Sequence, residues 1–123
     1  MSAGEAIRAI ETFFEGFNDE DDARMREALN FPHVRIASGT VRVIEGPEHF
    51  KTPFERLKKV ERWHHSTLDA ADVIHDGSEK VHFAVRFSRF RGDGTCYATH
   101  DAVWIVTQLG GHWGIQARSS FAP

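Results

Sequence analysis

Apolar residues recur at helical spacing near the start of the chain, where Ile7, Ile10, Phe13, Phe14 and Phe17 fall on one face, as in an amphipathic helix that buries one stripe. Ser2 followed by Glu5 reads as a capping box at its beginning. Asn18 to Asp22 then offer several caps for a short second helix with Met25, Ala28 and Leu29 as its apolar positions. Pro32 requires that helix to stop before Phe31, because proline disfavours helical backbone in the residue ahead of it.

The period changes to two after Phe31. Val34 and Ile36, then Val41 and Val43, alternate around Ser38-Gly39 and predict a small hairpin that Gly46-Pro47 ends. Thr52-Pro53-Phe54-Glu55 combines an N-cap, a proline at the first helical position and a capping-box glutamate. A third helix to about Glu61, burying Phe54 and Leu57, is predicted there. Four apolar-rich runs follow, Trp63 to His75, Lys80 to Arg91, Thr95 to Gln108 and Trp113 to Phe121. The turns Asp76-Gly77, Gly92-Asp93-Gly94 and Gly110-Gly111 separate them, which makes an antiparallel meander. Helices followed by such strands define an α+β class, with a curved antiparallel sheet closing over two or three N-terminal helices.

Centring the hairpins on those turns sorts side chains between two faces. The inward face takes Leu68, Ala70, Ile74, Val81, Phe83, Val85, Phe87, Ala102, Trp104, Val106, Trp113, Ile115 and Ala117. The outward face takes Asp69, Arg86, Asp101, Arg118 and Ser120, with Arg86 between the two aspartates. That charged face is read either as a binding surface or subunit interface, or as a solvated ladder of ion pairs. A one-residue slip at any bulge exchanges the faces of that strand.

Composition narrows the function classes. A chain of 123 residues with 41% hydrophobic residues, ten Phe and three Trp suits one domain with one core. Fifteen Lys and Arg against eighteen Asp and Glu leave a formal charge of -3, so no basic field is available for nucleic acid. The start of the chain has no long apolar run, which argues against a secretory signal or a membrane anchor and for a cytoplasmic location. Cys96 is the one cysteine, so no internal disulfide forms.

The eight histidines carry the candidate chemistry. His100 falls on the apolar face between Phe87 and Phe121, where a paired imidazole can act as acid or base; the plainer reading is a core histidine held by a carbonyl. His33, with Arg35 two residues on, sits where the first strand leaves the helices and opens into the same cavity. His64 and His65 are adjacent and point to opposite faces of a strand, so they do not share a pocket. No metal motif, phosphate loop, dinucleotide fingerprint or nucleophile elbow is present, and neither metal nor cofactor is expected.

The order of elements resembles the nuclear transport factor 2-like superfamily, and within it the SnoaL-like proteins. The aromatic first helix Ile10 to Asn18, the Gly-Pro-x-x-Phe segment at Gly46 to Phe50, and Gly111-His112-Trp113-Gly114-Ile115 leading to Ser119-Ser120-Phe121 carry the resemblance. It implies a cone-shaped, cystatin-like fold with a pocket between the concave sheet and the helices, and a homodimer through the outer sheet face. The ketosteroid isomerase pattern is incomplete: Phe13, Phe14 and Phe17 stand where a helix tyrosine is wanted, and His33 lies near the position of the aspartate base.

Two functions follow. One is a cofactor-independent lyase, isomerase or cyclase for a small, mostly apolar substrate, with His100 as acid or base, His33 assisting, and Phe14, Phe83, Phe87 and Trp104 as apolar wall. The other is a non-catalytic dimeric ligand-binding or assembly module in which Arg86, Asp101 and Arg118 serve an interface or a carboxylate ligand. Arg86 stands in an Ala84-Val85-Arg86-Phe87 context that resembles that of the pocket arginine of the calmodulin-dependent kinase II hub.

Overall fold

The computed structural model describes residues 2–122. Helix α1 (Ser2–Asn18) buries Ile10, Phe13 and Phe14 of the predicted stripe together with Ala6 and Ala9, while Ile7 and Phe17 pack half-buried against the core. Ser2 is already helical. Helix α2 (Asp22–Glu27) starts at Asp21, whose carboxylate accepts the Arg24 amide at 3.1 Å. That bond satisfies one of the amides left open at a helix start.

Strands β1 (Leu29–Ala37) and β2 (Thr40–Ile44) form the first hairpin, with Val34 opposite Val43 and Ile36 opposite Val41. The third helix is shorter than the sequence pattern suggests. A single turn, α3 (Phe54–Arg56), widens into a π-helical turn over Leu57–Glu61, which Arg62 ends in the left-handed conformation. Leu57 is buried there, while Phe54 is half-buried against Phe17 and Trp63.

The long strands are β3 (Trp63–Asp76), β4 (Lys80–Arg91), β5 (Cys96–Leu109) and β6 (His112–Ser120). The six strands lie in the order β2-β1-β6-β5-β4-β3 and curve around α1. Neighbours are antiparallel except β1 and β6, which run parallel. Gly114 makes the β1–β6 approach possible, since a Cβ there would lie 2.6 Å from the Leu29 carbonyl carbon. Asn30 locks the crossing by donating to the Thr107 carbonyl at 2.9 Å.

The β4–β5 register agrees with the turn-centred reading: Phe83 faces Trp104, Arg86 faces Asp101 and Phe87 faces His100. That junction slips only next to its turn, between Arg89 and Phe90, whereas the other two carry bulges farther along the strands that the alternation does not reveal. In β3 the bulge at Asp69 places Ala70 opposite outward-facing Arg86, and a second bulge leaves Ile74 exposed, so neither joins the inner face. In β6 the bulge at Gln116 puts Ala117 opposite Ile105 and Arg118 opposite buried Trp104. Arg118 and Ser120 therefore turn inward and Ala117 outward, the reverse of strict alternation, because one extra residue shifts the phase of the strand.

The apolar interior is one cluster. Phe14 stacks on Trp104 with centroids 5.3 Å apart, Phe13 meets Trp104 edge-on at 5.3 Å, and Phe14 packs on Phe87 at 5.8 Å. Offset and edge-on contacts of this kind add to the burial of the rings. Among the described residues no helix is long and apolar enough to cross a membrane.

Candidate functional site

A hollow of about 190 Å³ remains beside this aromatic pack, toward the β1–β2 edge of the sheet. Its apolar wall comes from Phe13, Phe17, Phe50 and Leu57, and its polar wall mainly from arginines, with Lys51, Thr52 and Glu61. Phe14, Phe83, Phe87 and Trp104 do not line it, because they fill the interior against one another and α1. The wall is thus built from other aromatic residues than the expected four.

The polar wall follows from strand register. Arg42 on β2 pairs with Arg35 on β1, and Arg35 pairs with Arg118 on β6. Paired residues project from the same face of a sheet, so three guanidinium-bearing side chains stand side by side across three neighbouring strands. All three line the hollow.

Arg118 is held from two directions. Its Nε–H donates to Nε2 of His33 at 2.9 Å, and its guanidinium carbon lies 4.8 Å from the Phe13 ring centroid and 5.8 Å from that of Trp104. The ring contacts supply cation–π attraction in a desolvated setting. Burial, with Arg35 and then Arg42 nearby, lowers the Arg118 pKa to about 9. The same two causes act on Arg35, whose pKa is lowered by burial and then by Arg89 and Arg42.

His33 is fully buried and does not open into the cavity as the sequence suggests. Its Nδ1 lies 2.9 Å from the Ile115 carbonyl, and its Nε2 receives the Arg118 bond. A carbonyl only accepts and an arginine only donates, so His33 carries its proton on Nδ1 and is neutral. Burial, chiefly, and the Arg118 charge push its pKa down to about 3. His33 is therefore a positioning residue for Arg118.

His100 lies on the inner side of the sheet, with its ring centroid 5.4 Å from that of Phe87. It stands outside the lining of the hollow. Phe121, expected beside it, is 76% exposed, because β6 reaches its end with the opposite phase. Burial and Arg89 lower the His100 pKa, while Glu61 raises it by a smaller amount.

Among the described residues Glu61 is the single carboxylate of the cavity lining. It accepts from Arg89 Nη1 at 3.0 Å and from the Tyr97 hydroxyl at 2.7 Å. Burial and that carboxylate push the Tyr97 pKa up to about 12. Sequence reasoning left out Glu61, Arg42 and Arg89, and no local motif marks them. Arg42 alone carried a signal, since it stands opposite Arg35 in a hairpin that the alternation locates.

Arg86 and Asp101 form an exposed pair at 2.8 Å on the outer face. Asp69 accepts from Thr67 and Ser88 instead. This face bears a wide groove lined by Arg86, Asp101, Val103 and Phe121 among others. Among the described residues no cluster of three or more His, Cys, Asp or Glu side chains is arranged to hold a metal ion.

These features define a cystatin-like, nuclear transport factor 2-like fold, and solved structures agree. An NTF2-like protein with a cystatin-like fold from Novosphingobium aromaticivorans superposes with a TM-score of 0.78 at 13% identity, over 97% of this chain and 80% of that one. An NTF-2-like protein of unknown function from Shewanella oneidensis MR-1 gives 0.72 at 15% identity, over 98% of both chains. A ketosteroid isomerase-like protein from Erwinia carotovora atroseptica gives 0.67 at 13% identity, over 98% of this chain and 96% of that one. No family model matches the chain, and no curated protein matches it.

Proposed function

We propose that this chain is a small-molecule-binding domain of the SnoaL-like kind that holds its ligand in the hollow between α1, α3 and strands β1, β2 and β6, without histidine acid–base turnover. The observation that carries the reading is the state of His33. The candidate nearest the position of the isomerase base is buried, with both ring nitrogens committed to Ile115 and Arg118. A general base needs a free nitrogen within reach of the substrate. The helix position that an isomerase would fill with a phenol is phenylalanine, and Tyr97 is bonded to Glu61.

The test is a small-molecule screen by native mass spectrometry on the wild type and on Ile44→Trp, which places an indole in the cavity wall. Binding that Ile44→Trp abolishes supports the site. Hits bound equally by both proteins would remove it.

The enzyme reading retains one favourable observation: the inward, half-buried His100 beside Phe87, whose lowered pKa favours the neutral base. His100→Ala separates the two readings, because a binding domain keeps its ligand affinity while an acid–base enzyme loses turnover.

A homodimer through the outer sheet face belongs to the same proposal. Val103 is 44% and Phe121 76% exposed in the outer groove, beside the Arg86–Asp101 pair. Apolar groups rimmed by a charged pair are the composition of a subunit interface.

A further inference from the structure

We propose that His112 is a pH-sensitive clasp: as the imidazolium it ties the end of α2 to the β1–β6 crossing, and as the neutral ring it releases α2 and loosens one wall of the hollow. The effect on the hollow rests on the reading of that space as a ligand site; the clasp itself does not.

The clasp follows from the direction of one chain of hydrogen bonds. Gln116 Nε2 donates to the Pro32 carbonyl, and Gln116 Oε1 accepts from the Thr107 hydroxyl at 2.7 Å. With its proton used, Thr107 Oγ1 accepts from Asn30 Nδ2 at 3.0 Å, a nitrogen that also faces the Thr107 and His112 carbonyls. Asn30 Oδ1 is thereby turned to His112 Nδ1 at 2.7 Å, and it only accepts. On the far side of the ring, Nε2 lies 2.8 Å from the Glu27 carbonyl, which also only accepts. A chain that ends on a carbonyl at both ends needs one member that donates twice. His112 is that member, in its protonated form alone.

A neutral imidazole has one N–H, so one of its two bonds gives way to a lone pair facing an oxygen. Asn30 is 6% exposed, and a donor lost there would leave a buried acceptor without a partner. The Glu27 bond lies on the exposed side, where water replaces it. Deprotonation therefore releases the last turn of α2, a place where a cationic side chain is favoured. The Ile115 amide still holds the Ala28 carbonyl at 2.8 Å, which makes Ala28 the hinge.

Few charges compete with this titration. Among the described residues no ion pair includes His112. On α2, Arg26 is drawn away to the Phe50 carbonyl, and Glu27 carries an exposed carboxylate. Glu79 and Lys80 stand past Thr107 and Gln108 with opposite signs. Strand β1 has no charged residue before His33, β5 none after Asp101, and β6 none between His112 and Arg118.

Helix α2 also holds one side of the hollow. Met25 lines it, Asp22 accepts from the Thr52 amide at 3.2 Å, and Arg26 donates to the Phe50 carbonyl at 2.9 Å. Thr52 and Phe50 are wall residues as well. Loosening α2 thus loosens three points of the wall together, and a closed clasp slows exchange of whatever the hollow holds.

The experiment combines imidazole NMR with hydrogen exchange of the α2 amides at pH 5.5 and pH 8, on either side of the range in which imidazole titrates. At pH 5.5 both ring N–H protons of His112 should be visible and shielded from water, and at pH 8 only that on Nδ1. Protection of α2, corrected for intrinsic exchange, should fall at least threefold from pH 5.5 to pH 8 in the wild type and stay level in His112→Gln. Nile red should leave the hollow at least threefold faster at pH 8, again in the wild type alone. Ring protons lost to solvent at pH 5.5, or the same pH dependence of α2 in His112→Gln, would overturn the clasp. Protection that follows pH while Nile red leaves at one rate would overturn its control of the hollow. Nile red bound equally by wild type and Ile44→Trp would instead overturn the hollow as a site and leave the clasp standing.

Discussion

Arg118 and His33 meet at 2.9 Å on adjacent parallel strands, with the arginine donating and the histidine accepting. The pair joins a residue whose charge is kept to one whose charge is suppressed. Burial disfavours an ion on either side, and the imidazole gives up its proton because its pKa in water is much closer to neutrality than that of a guanidinium. The outcome is a fixed cation facing a small hollow.

Replacing His33 by alanine should destabilise the protein by about 2–4 kcal/mol, since the change opens a cavity and removes the partner of a buried guanidinium. Urea unfolding measures it. His33→Gln, which keeps an acceptor, should recover part of the loss. A cost near zero for alanine would mean that the pair contributes nothing to holding Arg118.

The pH dependence of stability follows from the same pair. His33 has its pKa lowered from 6.5 to about 3, so between those values the unfolded chain binds a proton that the folded chain does not. Its contribution is complete above pH 6.5 and declines as pH falls toward 3, by at most about 1.4 kcal/mol per pH unit. Arg118 and Arg35 are the charges that face it, and both act against protonation. Comparing urea melts of wild type and His33→Phe from pH 4 to 8 isolates this part from the carboxylates, and the curves should converge as pH falls.

Arg42→Gln should raise stability in the absence of added anion by about 0.5 kcal/mol, because it removes one of two like-charge cross-strand pairs. Added salt should narrow the difference by screening. A destabilised variant at low salt would show that the row does not repel.

Gly114→Ala should cost about 1–3 kcal/mol through overpacking. Its Cβ would fall 2.6 Å from the Leu29 carbonyl carbon and 2.8 Å from the Asn30 amide nitrogen, so β1 would have to move away from β6. Thermal denaturation reads the loss.

On the outer face, Val103→Glu combined with Phe121→Asp should convert the proposed dimer to the 13.9 kDa monomer in light scattering. A wild-type chain already monomeric at micromolar concentration would remove this interface.

Much of the fold was legible because its signals are local. The stripe from Ile7 to Phe17, the Ser38-Gly39 turn and the three later turns follow from spacing and turn chemistry within a few residues. The β4–β5 register was legible for the same reason, since one tight turn fixes which residues face each other. That register alone places His100 opposite Phe87 on the inner side, where the structure has it. The cavity is not legible in the same way: alternation alone opens His33 to it and turns Arg118 outward, whereas His33 is sealed and Arg118 points in.

The sequence by itself determined the class of fold, the buried face of α1 and the pairing across β4 and β5, because helical period, strand period and turn residues act over short stretches of chain. Only the tertiary structure decided that Arg42, Arg35 and Arg118 stand in one row. That row needs a parallel pairing between residues more than eighty positions apart and a bulge at Gln116, and neither leaves a trace in local hydrophobic pattern. Phase along a strand carries a side chain to one face or the other, and a single inserted residue reverses it.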